Sequence, residues 1–321
     1  MRIVIHDAQG PTTKADCLNR LYAALSADEA RTGVPFASVV LQDAEDMVHP
    51  AGLVAIDRGL ADADFVQLPV RPELQPASPW IAGHYADEFT EAHAKALVVR
   101  DNLGAALPAA GVGCGFSRMA LRMLAVQRQR AGESGPFAAE CLTEDYELGL
   151  LIARNGGRSR FLRLRDSKGH LIATRSFFPG RLEEAGRQET RRAHGIALPG
   201  WDRLGWGGGL GGFWMAFRDR RGPLTALVLF VAYVLVALEG VMALLRLGGV
   251  DTTMAMSPQL RVMVLISFAA FVWRMAFRFV FTAREYGAIE GLRAVLRMPV
   301  GNIIAIMAGP RGLPAPLPRP V

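Results

Sequence analysis

ASVVLQDAED, residues 37–46, runs from an apolar stretch straight into Asp43, Glu45 and Asp46. A short unbroken apolar run reads as a buried strand, and an acidic cluster directly after it reads as that strand's carboxyl edge. In open α/β sheets ligands bind at that edge. Carboxylates packed this closely repel one another and need a cation. Hard oxygen ligands without His or Cys suit Mg2+ or Mn2+, ions usually shared with substrate phosphates. Taken alone, DAED reads more readily as a solvated acidic loop than as a metal site.

Outward from this stretch the pattern alternates. MRIVI at 1–5 reads as a strand, KADCLNRLYAAL as a helix, ASVVL as a strand, GLVAIDRGL as a helix and DFVQLPV as a strand. Strands alternating with helices predict an α/β domain with a mostly parallel sheet and flanking helices. VRPELQPASPW, 70–80, is a proline-punctuated loop, and helical periodicity follows from Trp80 to Arg100. GVGCGFSR, 111–118, reads as a glycine-rich turn ahead of the helical ALRMLAVQRQ. TEDYELGLLIARNGG predicts a whole helix, with Thr143 as N-cap, acids in the first turn and Asn155-Gly156-Gly157 as its stop. RQETRRAHGIALPGW, 187–201, predicts a polar, Arg-rich helix.

The character changes after Gly222. LTALVLFVAYVLVALEGVMALL, 224–245, and VMVLISFAAFVWRMAFRFVF, 262–281, are each long enough to cross a bilayer, which takes about 20 apolar residues. Glu239 is the one charge in the first, and Arg274 and Arg278 lie toward one end of the second, where long side chains can snorkel to headgroups. The connecting GGVDTTMAMSPQ has no Lys or Arg, whereas Arg218, Arg220 and Arg221 precede the pair and Arg284, Arg293 and Arg297 follow it. The positive-inside rule then puts both flanks, and the α/β domain, in the cytoplasm. The expected organisation is a cytoplasmic domain at 1–206, an interfacial segment at 207–222, two transmembrane helices within 223–283, an interfacial or membrane-associated helical segment at 284–309 and a proline-rich disordered tail at 310–321.

The 321 residues carry 51% apolar residues and a net charge of +6, nearly all of it from arginine, since Lys14, Lys95 and Lys168 are the only lysines. Three widely spaced cysteines without a CxxC pattern argue against a zinc site or a disulfide framework. RSRFLRLRDSKG, 158–169, reads as a strand with its arginines toward solvent, phosphate or headgroups; no nucleic-acid module surrounds it, and no nucleic-acid partner is expected.

Four stretches, in this order, resemble family 2 glycosyltransferases of the GT-A fold: KADCLN, DAED, TED and QETRR. GPTTKADCLN, DAEDMVHP, GVGCGFSR, LTEDYELG, GIALPGW and REYG…GNIIAIMA are similar to the inner-membrane members of the phage-adsorption protein B group, a likeness covering roughly residues 5–309. The resemblance implies a membrane-anchored, inverting hexosyltransferase. It would move a sugar from a nucleotide donor, expected to be a UDP-sugar, to a growing glycan or lipid-linked acceptor for exopolysaccharide or surface-glycan synthesis. It further implies a multi-pass protein of the bacterial inner membrane with an outer-membrane or export partner.

By the same resemblance Asp43 and Glu45, with Asp46 as rival for the second place, hold Mg2+ or Mn2+ against the donor diphosphate. Asp145 takes the acceptor proton and Glu144 assists it. Lys14, Asn19, Gln188 and Arg191 contact the donor, and Gly113, Cys114, Gly115 and Arg192 lie by the acceptor. Two features depart from the family pattern. Arg192 stands where the family has a Trp, and the chain starts after a strand that carries an aspartate near the nucleobase, which implies a shortened N-terminal part. Those departures motivate an alternative, a non-catalytic membrane scaffold or binding module derived from such an enzyme.

Overall fold

The structure, a computed structural model, describes residues 3–7, 10–139, 141, 143–197, 199–206, 209–250 and 257–309. The expected tail at 310–321 and the middle of the loop between the apolar helices lie outside the described residues. In chain order the elements begin with α1 (Lys14–Thr32), β1 (Ser38–Leu41), β2 (Met47–Val48), α2 (Gly52–Leu60), β3 (Phe65–Gln67), β4 (Val70–Pro72) and α3 (Ile81–Glu91). A π-helical turn (Ala92–Ala96) leads into α4 (Leu97–Asn102), then β5 (Cys114–Ser117), α5 (Arg118–Arg130), α6 (Glu144–Arg154), β6 (Ser159–Phe161) and β7 (Thr174–Ser176). Helices complete the chain: α7 (Leu182–Ala197), α8 (Pro199–Leu204), α9 (Gly209–Arg220), α10 (Gly222–Leu247), α11 (Pro258–Tyr286), α12 (Ala288–Leu296) and α13 (Met298–Ala308).

Packing divides the chain into two units: Met1–Glu73, Ala92–Phe178 and His194–Arg220 form the first, and Leu74–Glu91, Pro179–Ala193 and Arg221–Val321 the second. Two sheets hold the first unit together, one of four strands in the order β1-β5-β3-β6 and one of three in the order β2-β7-β4. The α/β class with flanking helices is as expected, but the pairings are mixed rather than mostly parallel. Only β3–β6 and β4–β7 run parallel; β1–β5, β3–β5 and β2–β7 are antiparallel.

The difference arises at GVGCGFSR. Only Gly111 to Gly113 form a turn; Cys114 to Ser117 form β5, which sits between β1 and β3. Side chains alternate across a strand. Cys114 and Phe116 therefore join Phe65, Leu121, Leu148 and Ile152 in the core on one face. Gly115 faces α2, where any Cβ would collide with Ile56, whose core includes Val66 and Leu68. Phe65 and Phe116, directly paired in register, stack with ring centroids 5.0 Å apart.

α1 is fixed at both ends. Thr13 and Asp16 form a reciprocal capping box, and Gly33 closes the helix at φ 70° by donating its N–H to Glu29. Buried Arg118, at the start of α5, pairs with Glu29 at 2.7 Å and ties α1 to α5. The strand expected at MRIVI does not form among residues 3–7: Ile3 and Ile5 are exposed, and Arg20 of α1 donates to the Ile5 carbonyl. The run at 158–169 yields only the short β6, followed by an isolated bridge from Arg165 to Leu171.

In the second unit α3 packs on α11 and α13, α10 on α13 and α11 on α12. α10 and α11 are long and apolar enough to cross a membrane, and α12 with α13 pass the same test as a pair bent by 48°. Arg297, at that bend, is almost fully buried. Its guanidinium donates twice to Asp87 of α3, at 2.9 and 2.7 Å, and once to Glu290 at 2.9 Å. Arg278 lies 3.7 Å from Glu91 of α3. Glu239 pairs with Arg246 of the same helix at 3.0 Å.

Candidate functional site

β1 delivers the acidic turn. Asp46 accepts the Asp43 N–H at 2.9 Å through Oδ2, and the Asp46 N–H returns to the Asp43 carbonyl at 3.2 Å, so the carboxylate itself closes the turn. Its other oxygen, Oδ1, is buried and has no hydrogen-bond partner. Leaving a charged oxygen buried and unpaired is costly, which marks this atom as one awaiting a cation or donor. Glu45, at the tip of the turn, is exposed. Asp43 points its Oδ1 at Lys14 Nζ, 2.6 Å away. Among the described residues no three His, Cys, Asp or Glu side chains converge as a closed metal site. The donor set instead fits a Mg2+-type ion, held by one or two carboxylates and completed by phosphate oxygens and water.

The same neighbourhood includes the start of α6. Burial pulls the Lys14 ammonium down, but the hydrogen bond and charge of Asp43, with the charges of Asp145 and Glu144, raise it above its ordinary value. Burial raises the Asp145 carboxyl; the Tyr146 N–H and Lys14 pull it down, and Asp43 adds to the rise. Asp145 accepts the Tyr146 N–H at 2.7 Å. Thr143 occupies the N-cap position of α6, but its hydroxyl makes no cap bond; its N–H goes to Cys141 Sγ at 3.4 Å.

The glycine-rich turn fits between these parts. Gly111 has φ 80° and lies so close to Asp145 that a Cβ there would strike the carboxylate. Gly113 has φ 63°, with Thr174 Oγ1 only 2.6 Å from the place of a Cβ. Two glutamines that sequence reasoning missed hold this turn. Fully buried Gln67 donates to the carbonyls of Leu68, Val112 and Gly113 at 2.8, 2.9 and 3.3 Å and accepts from the Ala110 N–H at 2.8 Å. Gln42, between β1 and Asp43, accepts from the Gly113 N–H at 3.1 Å and donates to Thr174 at 3.2 Å. A polar residue inside an apolar run was the available signal for Gln67.

Several expected contacts are placed elsewhere. Asn19 engages both ends of its amide with the backbone of Phe137, at 2.8 and 3.0 Å, and so fastens the segment ahead of α6. Cys114 is fully buried in β5, its thiol pushed far up by burial and by the charges of Asp145 and Asp43, and Gly115 is buried under Ile56. Neither presents surface to an acceptor, because β5 is a central strand. Gln188, Arg191 and Arg192 lie on α7 in the second unit. There Gln188 accepts from Tyr85 at 3.2 Å, Arg191 is exposed, and Arg192 pairs with Glu88 at 2.6 Å and Glu189 at 3.7 Å.

Behind Asp145 two ion networks clamp α6, and neither is visible in the sequence. Glu147, buried, receives Arg203 of α8 at 3.0, 3.0 and 2.7 Å and the Cys141 thiol at 3.1 Å. Tyr146 donates its hydroxyl to Asp219 of α9 at 2.8 Å.

Residues 38–283 match the sequence description of "Glycosyl transferase family group 2". Bacteriophage adsorption protein B of Escherichia coli strain K12 is 31% identical over 325 residues, covering 95% of this chain and 43% of the relative. Bacteriophage N4 adsorption protein B of Escherichia coli O157:H7 matches to the same extent, so the chain spans under half the length of these curated relatives. Among solved structures, the mannosyltransferase PcManGT from Pyrobaculum calidifontis, in complex with GDP-Man and Mn2+, aligns with a TM-score of 0.44 at 14% identity, over 92% of this chain and 67% of that one.

Proposed function

The chain belongs to glycosyl transferase family group 2, and from that premise we propose that it is a membrane-anchored, inverting hexosyltransferase. It transfers a sugar from a nucleoside-diphosphate donor to a glycan or lipid-linked acceptor in surface-glycan synthesis. The observation that carries this reading is the acidic turn itself. Lys14 sits on Asp43, Asp46 Oδ1 is buried without a partner, and Asp145 lies within the same field of charge.

Asp43 and Asp46 would hold a divalent ion, with exposed Glu45 a less suitable second ligand, and such an ion would supply positive charge against the leaving diphosphate. Lys14 adds a charge-assisted hydrogen bond to the same phosphates. Asp145 accepts the proton of the acceptor hydroxyl. Its raised pKa, caused first by burial, makes it a stronger base than an ordinary aspartate once it is ionised. The positive charge developing at the anomeric carbon needs no covalent nucleophile when attack and departure occur on opposite faces. Gly111 leaves the Asp145 carboxylate clear of side chain on its side. In this reading the apolar helices α10 and α11 anchor the chain in the inner membrane with the catalytic unit on the cytoplasmic side; their length and hydropathy, and the arginines flanking them, support it.

The test is transfer activity of the full chain with Mn2+ and a panel of nucleotide sugars, wild type against Asp145→Asn. Loss of transfer in the variant is expected. Equal turnover would remove Asp145 from the mechanism.

A further inference from the structure

α9 has two faces with different work. Leu210, Phe213, Trp214 and Phe217 follow the i, i+3, i+4, i+7 spacing of one helical stripe, and they are 91%, 49%, 59% and 42% exposed. Met215, on the far side, is buried. Asp219 lies about 180° around the helix from Leu210 at 3.6 residues per turn. Its carboxylate is only 16% exposed and accepts three hydrogen bonds. Arg100 donates two of them, at 3.0 and 2.8 Å, and Tyr146 donates the third at 2.8 Å. Tyr146 in turn gives its backbone N–H to Asp145 at 2.7 Å. A continuous chain of contacts thus runs from α9 to the carboxylate that ends in the site.

We propose that α9 docks on the anionic surface of the bilayer through Leu210, Phe213, Trp214 and Phe217, while Asp219 on its inner face positions Tyr146 and Asp145 for proton transfer. The occupant of the stripe is lipid for three reasons. Only Arg221 separates α9 from α10, an apolar helix of 26 residues, so the chain must meet a bilayer there if α10 spans it. Arg218 falls about 80° to one side of the stripe, where basic side chains meet headgroup phosphates, while Arg220 on the other side turns inward and donates to the Gly205 carbonyl at 2.6 Å. Arg220 also lies 5.2 Å from the Trp206 ring, extending the aromatic belt. Asp219 is a positioning residue, since its contact with the reaction passes through Tyr146. The inference rests on Asp145 being the base.

The full chain is reconstituted in nanodiscs of phosphatidylcholine with or without phosphatidylglycerol. Trp214 emission, taken as wild type minus Trp214→Phe, is read against lipids brominated near the headgroup. Quenching is expected. An unquenched Trp214 that is also shielded from aqueous acrylamide would assign the stripe to a second copy or another protein and overturn the docking. Steady-state rates follow. Asp219→Asn should lower kcat about tenfold with the donor KM unchanged, as for a group acting only in the chemical step. The wild type should turn over faster with phosphatidylglycerol than without it, and Asp219→Asn should lose that rise, with partial recovery in Asp219→Glu. The surface variant Phe213→Ser/Phe217→Ser, which keeps the Trp214 fluorophore and opens no cavity, should keep the donor KM and lose both quenching and lipid response. Wild-type kcat and lipid response in Asp219→Asn would overturn the positioning role. Full turnover in Asp145→Asn would instead overturn the base assignment and leave the quenching result standing.

Discussion

Removing Arg203 tests how firmly the catalytic helix is clamped. Glu147 is 2% exposed and takes three contacts of 3.0 Å or less from the Arg203 guanidinium. Breaking one side of a buried pair costs about 3–5 kcal/mol, because the surviving charge is stranded. Arg203 is itself 34% exposed, so water can reach part of the vacated space. We therefore expect about 2–3 kcal/mol for Arg203→Met, after discounting for solvent. Replacing both partners removes the stranded charge, and Arg203→Met/Glu147→Gln should recover most of the loss. The assay is native-state hydrogen exchange of the full chain, followed on the amides of residues 144–154. A cost of that size lowers protection roughly 30-fold to 160-fold, and the double variant should return to within about tenfold of wild type. Unchanged protection in Arg203→Met, or a double variant worse than the single, would refute the reasoning.

Other consequences follow from the same geometry. Asp145 must be ionised to accept a proton, and its pKa is raised chiefly by burial, so activity should fall as pH drops through a midpoint above the ordinary aspartate value. Lys14→Met removes a charge that lowers Asp145 and should move that midpoint higher still; a shift downward in the kcat/KM profile would contradict the shared field. Gly111→Ala introduces a Cβ at φ 80° against the Asp145 carboxylate; about a hundredfold loss of kcat with an unchanged circular dichroism spectrum is expected, and full activity would show that the close approach is immaterial. In the second unit Arg297→Met strands Asp87, and Arg297→Lys cannot restore the paired donors, so both should melt well below wild type in detergent; a normal melt for the lysine variant would count against the bidentate contact.

Local signals in the sequence located most elements. The helix of KADCLNRLYAAL, the apolar run of β1 and the Asn-Gly-Gly stop after α6 depend on neighbours a few residues apart, and each formed. β5 escaped because its glycines, which look like a turn, are required by packing from a distant helix, Ile56 lying over Gly115. With β5 hidden, the antiparallel pairings around it were hidden too. In the candidate site the carboxylates at 43, 46 and 145 could be named from their spacing and company. The residues that aim them could not: Gln42, Gln67, Arg203 and Asp219 act across 43 to 73 positions of chain or lie in runs whose own pattern explains them. Asn19, given a donor role by resemblance alone, also bonds the backbone of Phe137, a partner 118 positions away that its own helix could not reveal.

The central claim is that Asp43 and Asp46 bind a divalent ion together with a diphosphate, and that Asp145 serves the acceptor instead. Calorimetric titration of nucleoside-diphosphate sugars into the full chain, with Mn2+ and with chelator, tests it directly. The account predicts metal-dependent binding that Asp43→Asn and Asp46→Asn each weaken at least about tenfold, while Asp145→Asn binds donor as the wild type does. Binding of equal strength in chelator, or a loss in Asp145→Asn as large as that in Asp43→Asn, would contradict it.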